Sequence, residues 1–136
     1  MTASMKTFVC SIIMTALAGT PGLAAAGPYD GSRPFLCVVA TIMECAASGY
    51  CERHIADDAD APTFIQVDVA GQTITAGPNK KSPIGNATHL DGELILQGGE
   101  SKRGWSATIN EETGRMAVAI VDNDYIFSLF GTCTIP

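Results

Sequence analysis

Lysine and arginine are scarce in this 136-residue chain, eight in all against fourteen aspartates and glutamates. They pair only at Lys80-Lys81 and Lys102-Arg103. Nucleic acid is a poor partner for such a surface, because phosphate backbones are held by concentrated cations that displace counterions. Anionic lipid is disfavoured for the same reason. Histidine occurs twice, as His54 and His89, and tryptophan once, as Trp105. No two cysteines have the two-residue spacing of a redox pair, so thiolate redox chemistry is not indicated. A sustained 3.6-residue apolar stripe is also missing, apart from one turn's worth near residues 53–59. A helical bundle is thereby excluded.

The first 26 residues hold a single charge, Lys6, and the next is Asp30. The apolar stretch 7–18 followed by Ala24, Ala25 and Ala26 reads as a signal peptide over residues 1–26, with Gly27 first in the mature chain. Gly19, Pro21 and Gly22 interrupt the run before it reaches the roughly 20 residues of a spanning helix. Cys10 would leave with it. The mature portion, residues 27–136, would be one periplasmic or secreted domain with seven basic and fourteen acidic residues, a formal charge of −7. Stable membrane insertion after cleavage is not expected.

What the mature chain does contain is four cysteines and a regular grammar of short strands. Residues 27–34 are polar, hold Pro28, Gly31 and Pro34, and read as an irregular lead-in. Residues 35–43 are apolar and β-branched, as a buried strand requires. Phe64, Val67 and Val69 then precede a turn at Gly71-Gln72, and residues 73–76 follow. Residues 77–85, with two prolines and two lysines, read as an exposed loop. Asp91-Gly92 turns the chain into residues 94–97, and Gly98-Gly99 should break that strand. Trp105, Ala107 and Ile109 alternate with Ser106 and Thr108, the pattern of a half-buried strand. A turn at residues 110–114 leads to Met116, Val118 and Ile120, and a turn at residues 122–124 leads to the last strand.

Short links between consecutive strands imply an all-β antiparallel meander of about six to eight strands. Closing it into a full or partly open barrel removes two aggregation-prone edges. A sandwich is the alternative. Four cysteines allow three pairings. Cys45–Cys51 is favoured by proximity across a run of small residues. Cys37–Cys133 is favoured because it would clasp first strand to last, where a barrel closes. Each bond in a domain this small is worth about 2–4 kcal/mol.

Chemistry is harder to locate. Ser48 with His54, or Ser106 with His89, could be drawn as nucleophile and base, but neither has a strained elbow or an orienting third group nearby in sequence. Asp57, Asp58 and Asp60 place three hard oxygen donors within four residues, which suits Ca²⁺, yet the EF-hand's alternating ligands and central glycine are missing. Zinc held by His54 and the nearby cysteines would compete with disulfide formation. Glu93 and Glu100 could face one another across a sheet as a carboxylate pair. Trp105 could floor a ligand site, although its alternation with Ala107 and Ile109 favours the core. Tyr125, like Tyr29 and Tyr50, lies near a loop where it could mark an interface. Asn86-Ala87-Thr88 fits a glycosylation acceptor. No cofactor pattern occurs.

Several landmarks recur in a recognisable order: Pro34-Phe35-Leu36-Cys37, Met43-Glu44-Cys45, Gly49-Tyr50-Cys51 and Gly92-Glu93-Leu94-Ile95-Leu96-Gln97-Gly98. Gly104-Trp105-Ser106, Thr113-Gly114-Arg115-Met116 and Phe130-Gly131-Thr132-Cys133 complete the set. With them the chain resembles small exported bacterial proteins of unassigned function, a resemblance that implies a periplasmic location and supplies no reaction. A coarser similarity to lipocalin-like barrels rests on strand order and the end-to-end cysteine clasp. The usual lipocalin Gly-x-Trp near the mature N-terminus is missing, so a lipophilic ligand does not follow. The expectation is a non-enzymatic binding or interaction module for a protein or small apolar ligand, such as an envelope-associated inhibitor or stabilising protein. The alternative is a small periplasmic hydrolase or metal-binding protein using His54 or His89 with nearby carboxylates. The leading expectation requires an apolar cavity or an exposed patch of several hundred Å².

Overall fold

The computed structural model describes residues 26–55 and 62–136. Residues 1–25, nearly all of the expected signal peptide 1–26, and the aspartates Asp57, Asp58 and Asp60 lie outside that set. Nine strands are present among the described residues: β1 (Phe35–Ala46), β2 (Cys51–His54), β3 (Phe64–Asp68), β4 (Thr73–Ala76), β5 (Lys80–Leu90), β6 (Glu93–Glu100), β7 (Arg103–Asn110), β8 (Arg115–Val121) and β9 (Tyr125–Thr134). All neighbours are antiparallel. β3 to β9 pair in sequence order, and β1 closes the ring by pairing with both β3 and β9. The result is a closed eight-stranded barrel, with β2 as a short ninth strand on β1.

β1 makes this closure possible because it is twelve residues long. Along one edge it pairs with β9 from Leu36 to Ala46. Its other edge is shared, β3 taking residues 35–38 and β2 taking residues 42–45. The register against β9 slips between Val39 and Thr41, a bulge that bends the strand as a barrel wall requires. The expected cysteine pairs form: Cys37–Cys133 joins β1 to β9 across the seam, and Cys45–Cys51 staples the β1–β2 hairpin.

Alternation sets the inside. Phe35, Cys37, Val39 and Ile42 of β1 are buried, as are Leu94 and Leu96 of β6, Ala107 and Ile109 of β7, Met116 of β8, and Leu129 and Cys133 of β9. Phe35, Ile42, Leu94, Leu96 and Ile109 are at most 2% exposed, so the interior is filled by side chains. Burying each such side chain favours folding by about 1.5–3 kcal/mol. The buried set holds no polar or charged residue.

Two expected breaks are instead strand. Residues 80–85 belong to β5, with Pro83 opposite Thr73. The Ile84 amide donates to Gln72 on the β4 side, so Pro83's missing donor faces β6, where pairing only begins at Ile84. Gly98-Gly99 continues β6 rather than ending it. Gly98 points inward, and a Cβ there would overlap both the Trp105 ring and the Pro83 carbonyl. It is glycine to make room for the indole. The Asp91-Gly92 turn does form, with φ of 50° and 81°, the left-handed pair that suits a two-residue hairpin.

Candidate functional site

The barrel has two ends and a wall, and they carry different groups of side chains. At the end where β1 begins, the lead-in crosses the opening. The Tyr29 amide donates to the Glu111 carbonyl at 3.0 Å, and its ring meets Phe35 edge-on at 5.9 Å. His89 Nδ1 lies 2.5 Å from Glu111 Oε1. Asp30 is held below its ordinary value of 3.8, chiefly by the Ser32 hydroxyl, then by the Ser32 amide, with His89 adding a smaller attraction.

At the opposite end the pairing register sets one ring of side chains around the barrel: Glu44, Phe127, Ile120, Trp105, Gly98 and Ile84. Trp105, Ile120 and Phe127 pack onto the core from this side. Trp105 Nε1 donates to the Ser82 hydroxyl at 2.8 Å, which satisfies the indole. Arg103 lies over the Phe127 ring at 5.8 Å and pairs with Asp122 at 3.3 Å. Tyr125 stacks against Phe127, with ring centroids 6.2 Å apart. His54 Nε2 sits 3.7 Å from Glu44 and 3.9 Å from Glu52. Asp122 is held below 3.8, first by the Asp124 amide and then by that of Tyr125, with Arg103 contributing.

These placements decide several expectations. Both histidines meet carboxylates, but at opposite ends of the barrel. No hydrogen bond joins Ser48 to His54 or Ser106 to His89 among the described residues. Ser106 lies mid-wall, opposite Ala119, whereas His89 lies near the lead-in end opposite Leu94. Glu93 and Glu100 do not face one another. They sit at opposite ends of the same strand, with Glu93 accepting from Asn110 and Glu100 opposite Arg103. Seven residues of strand separate them by about 23 Å, beyond the spacing of a glycosidase pair. Among the described residues no group of three or more His, Cys, Asp or Glu side chains is placed to hold a metal ion. Trp105 belongs to the core edge, and Tyr125 remains 42% exposed beside it. Asn86 bonds to Thr88 and Gln97 on the outer surface.

The wall carries the feature that the sequence reading missed. Outward positions follow from the buried alternates. On β8 they are Arg115, Ala117, Ala119 and Val121; on β9 they are Ile126, Ser128, Phe130 and Thr132. Cross-strand pairing sets Val121 beside Ile126, Ala119 beside Ser128 and Ala117 beside Phe130. β1 continues these rows with Cys45, Met43 and Thr41, and Val38 stands opposite Phe64 of β3. Val38, Phe64, Val121, Ile126 and Phe130 are each 39–50% exposed. No carboxylate occupies an outward position on β1, β7, β8 or β9.

A depression of about 430 Å³ opens in this wall, its lining including Thr108, Ala117, Arg115, Glu93 and Phe130. Along the wall from it, β7 presents Ser106 and Thr108 opposite the alanines of β8 and Gly104 opposite Val121. A signal existed in the sequence: the residues alternating with Trp105, Ala107 and Ile109 are small and uncharged, as are Ala117 and Ala119, which alternate with Met116, Val118 and Ile120. Comparison with protein-family models, curated proteins and solved structures gave no match. Among the described residues no helix is long and apolar enough to cross a membrane.

Proposed function

We propose that this protein is an exported, non-enzymatic interaction module that works through the outer wall of its barrel. One observation carries the reading: large apolar side chains stand exposed on adjoining strands β1, β3, β8 and β9 while the interior is filled. Exposed apolar area on this scale marks a contact surface when it is contiguous. A packed interior leaves little room for a lipocalin-like ligand, so a macromolecular partner fits better than a small apolar one. The signal-like first 26 residues and the two disulfides support a periplasmic or secreted setting, in keeping with the resemblance to small exported bacterial proteins.

The alternative, a small hydrolase or metal-dependent protein, draws on His54 beside Glu44 and Glu52 and on His89 beside Glu111. Each is a base with an orienting acid and no hydroxyl or thiol nucleophile bonded to it among the described residues. The reading is tested with envelope extract passed over immobilised wild-type protein and over an Ile126→Asp variant. A specific protein retained by wild type and lost with the variant agrees with the proposal. Identical retention by both contradicts it.

A further inference from the structure

The geometry points to a second copy of this chain as the occupant of the β7–β8–β9 wall, docked about a twofold axis. The inference rests on the wall being the interaction surface and names what covers it. Three observations lead to it.

The first is charge. A mature chain of net −7 repels its own copy over most approaches. The outward positions of β7, β8 and β9 hold no carboxylate, and Arg115 is their one charged side chain. Two copies meeting through these strands keep their acidic groups apart, because most carboxylates lie in turns and at the barrel ends.

The second is shape. Ile126 and Phe130 form a ridge on β9, each nearly half exposed. Beside it lies the depression whose lining includes Ala117 of β8 and Thr108 of β7, and along the wall from it the outward residues Ala119 and Ser106 are also small. A twofold interface is self-complementary, so a ridge next to a depression is what it requires: Phe130 of each copy enters the depression of the other. The same depression is lined by Glu93 and Arg115, one of each sign. Under the twofold, Arg115 of one copy is brought toward Glu93 of the other. Arg115 has no ion-pair partner of its own among the described residues.

The third is area. The exposed apolar parts of Val121, Ile126, Phe130 and the adjoining Val38 amount to on the order of 300 Å², the size of the largest patch an isolated monomer ordinarily shows. With the intervening Ser, Thr and Ala positions the face stays below the roughly 800 Å² per partner of a standard stable interface, so the dimer is expected to be weak and to form toward millimolar concentration.

The test is sedimentation equilibrium of the oxidised mature protein from micromolar to millimolar concentration. Wild type is expected to dimerise, and Ala119→Glu, which puts a carboxylate opposite Ser128 between Ile126 and Phe130, is expected to weaken the dimer tenfold or more. A Thr75→Glu control on the far wall is expected to leave it unchanged. Circular dichroism and the thermal midpoint check that each variant folds. Arg115→Glu alone should weaken the dimer, and Glu93→Arg added to it should restore it. Wild type monomeric at millimolar concentration overturns the inference, as does an Ala119→Glu variant that is folded and still dimeric. If wild type is monomeric and Ala119→Glu loses a partner from envelope extract, the second copy falls while the wall stands as the working surface. Should wild type be monomeric with retention unaltered by the variant, both fall.

Discussion

The ends of the barrel and its outer wall carry opposite kinds of side chain. At the ends stand Asp30, His89 and Glu111 on one side and Glu44, Glu52, His54, Arg103 and Asp122 on the other, nearly all engaged with one another. The wall of β7, β8 and β9 holds small or apolar residues whose side chains have few partners within the chain. At the ends these charged groups pair with one another. The wall, by contrast, is left with apolar area facing water. On the proposed reading, structure is concentrated at the ends and seam, and association on the wall.

Substitutions at the seam and ends should cost folding stability, and those on the wall should not. The largest loss is expected on removing the seam clasp. A Cys37→Ala/Cys133→Ala double variant opens a loop with a sequence separation of 96, a loss of about 4 kcal/mol or more by urea denaturation. Opening Cys45–Cys51, with a separation of six, should cost only about 2 kcal/mol. Equal losses would break the distinction between seam and hairpin. Gly98→Ala should follow, at about 2–3 kcal/mol, because the added carbon meets the Trp105 ring. A displaced tryptophan emission spectrum would accompany it.

Smaller effects sharpen the contrast. Trp105→Phe removes the donor to Ser82 and should lower stability by about 1 kcal/mol. Asp122 provides the acid test. Its folded pKa is lowered below 3.8 by the amides of Asp124 and Tyr125, so its contribution is present above the unfolded value. That contribution is lost as pH falls through the folded one. The protection factors of the Asp124 and Tyr125 amides should therefore fall only below about pH 4, and should not change near neutrality. Wall variants such as Phe130→Ser should leave the dilute protein within about 0.5 kcal/mol of wild type, as exposed positions do.

The barrel and both disulfides were legible because alternation, turn residues and the placing of Cys37 and Cys133 agree with one another. Residues 77–85 misled because proline and lysine usually mark loops, whereas Pro83 uses the one strand position that needs no donor. Gly98-Gly99 misled because close approach to an aromatic ring leaves the same residue type as a chain break. β2 was not read as a strand, and residues 53–59 suggested a turn of helix instead, since its Cys-Glu-Arg-His sequence has little strand propensity and forms against the free edge of β1. His54 and His89 were visible, but their carboxylate partners come from register across strands, which no spacing encodes. The wall stayed hidden for a similar reason. Its ridge and depression come from several strands, and each strand alone shows only ordinary alternation.

Methyl NMR of the oxidised mature protein across a dilution series tests the account most directly, since it reads wall and core in one experiment. The account predicts concentration-dependent shifts at Val121 and Ile126, with the methyls of Leu94, Leu96 and Ile109 unmoved. Invariant wall methyls up to millimolar concentration, or movement centred on the core, would contradict it.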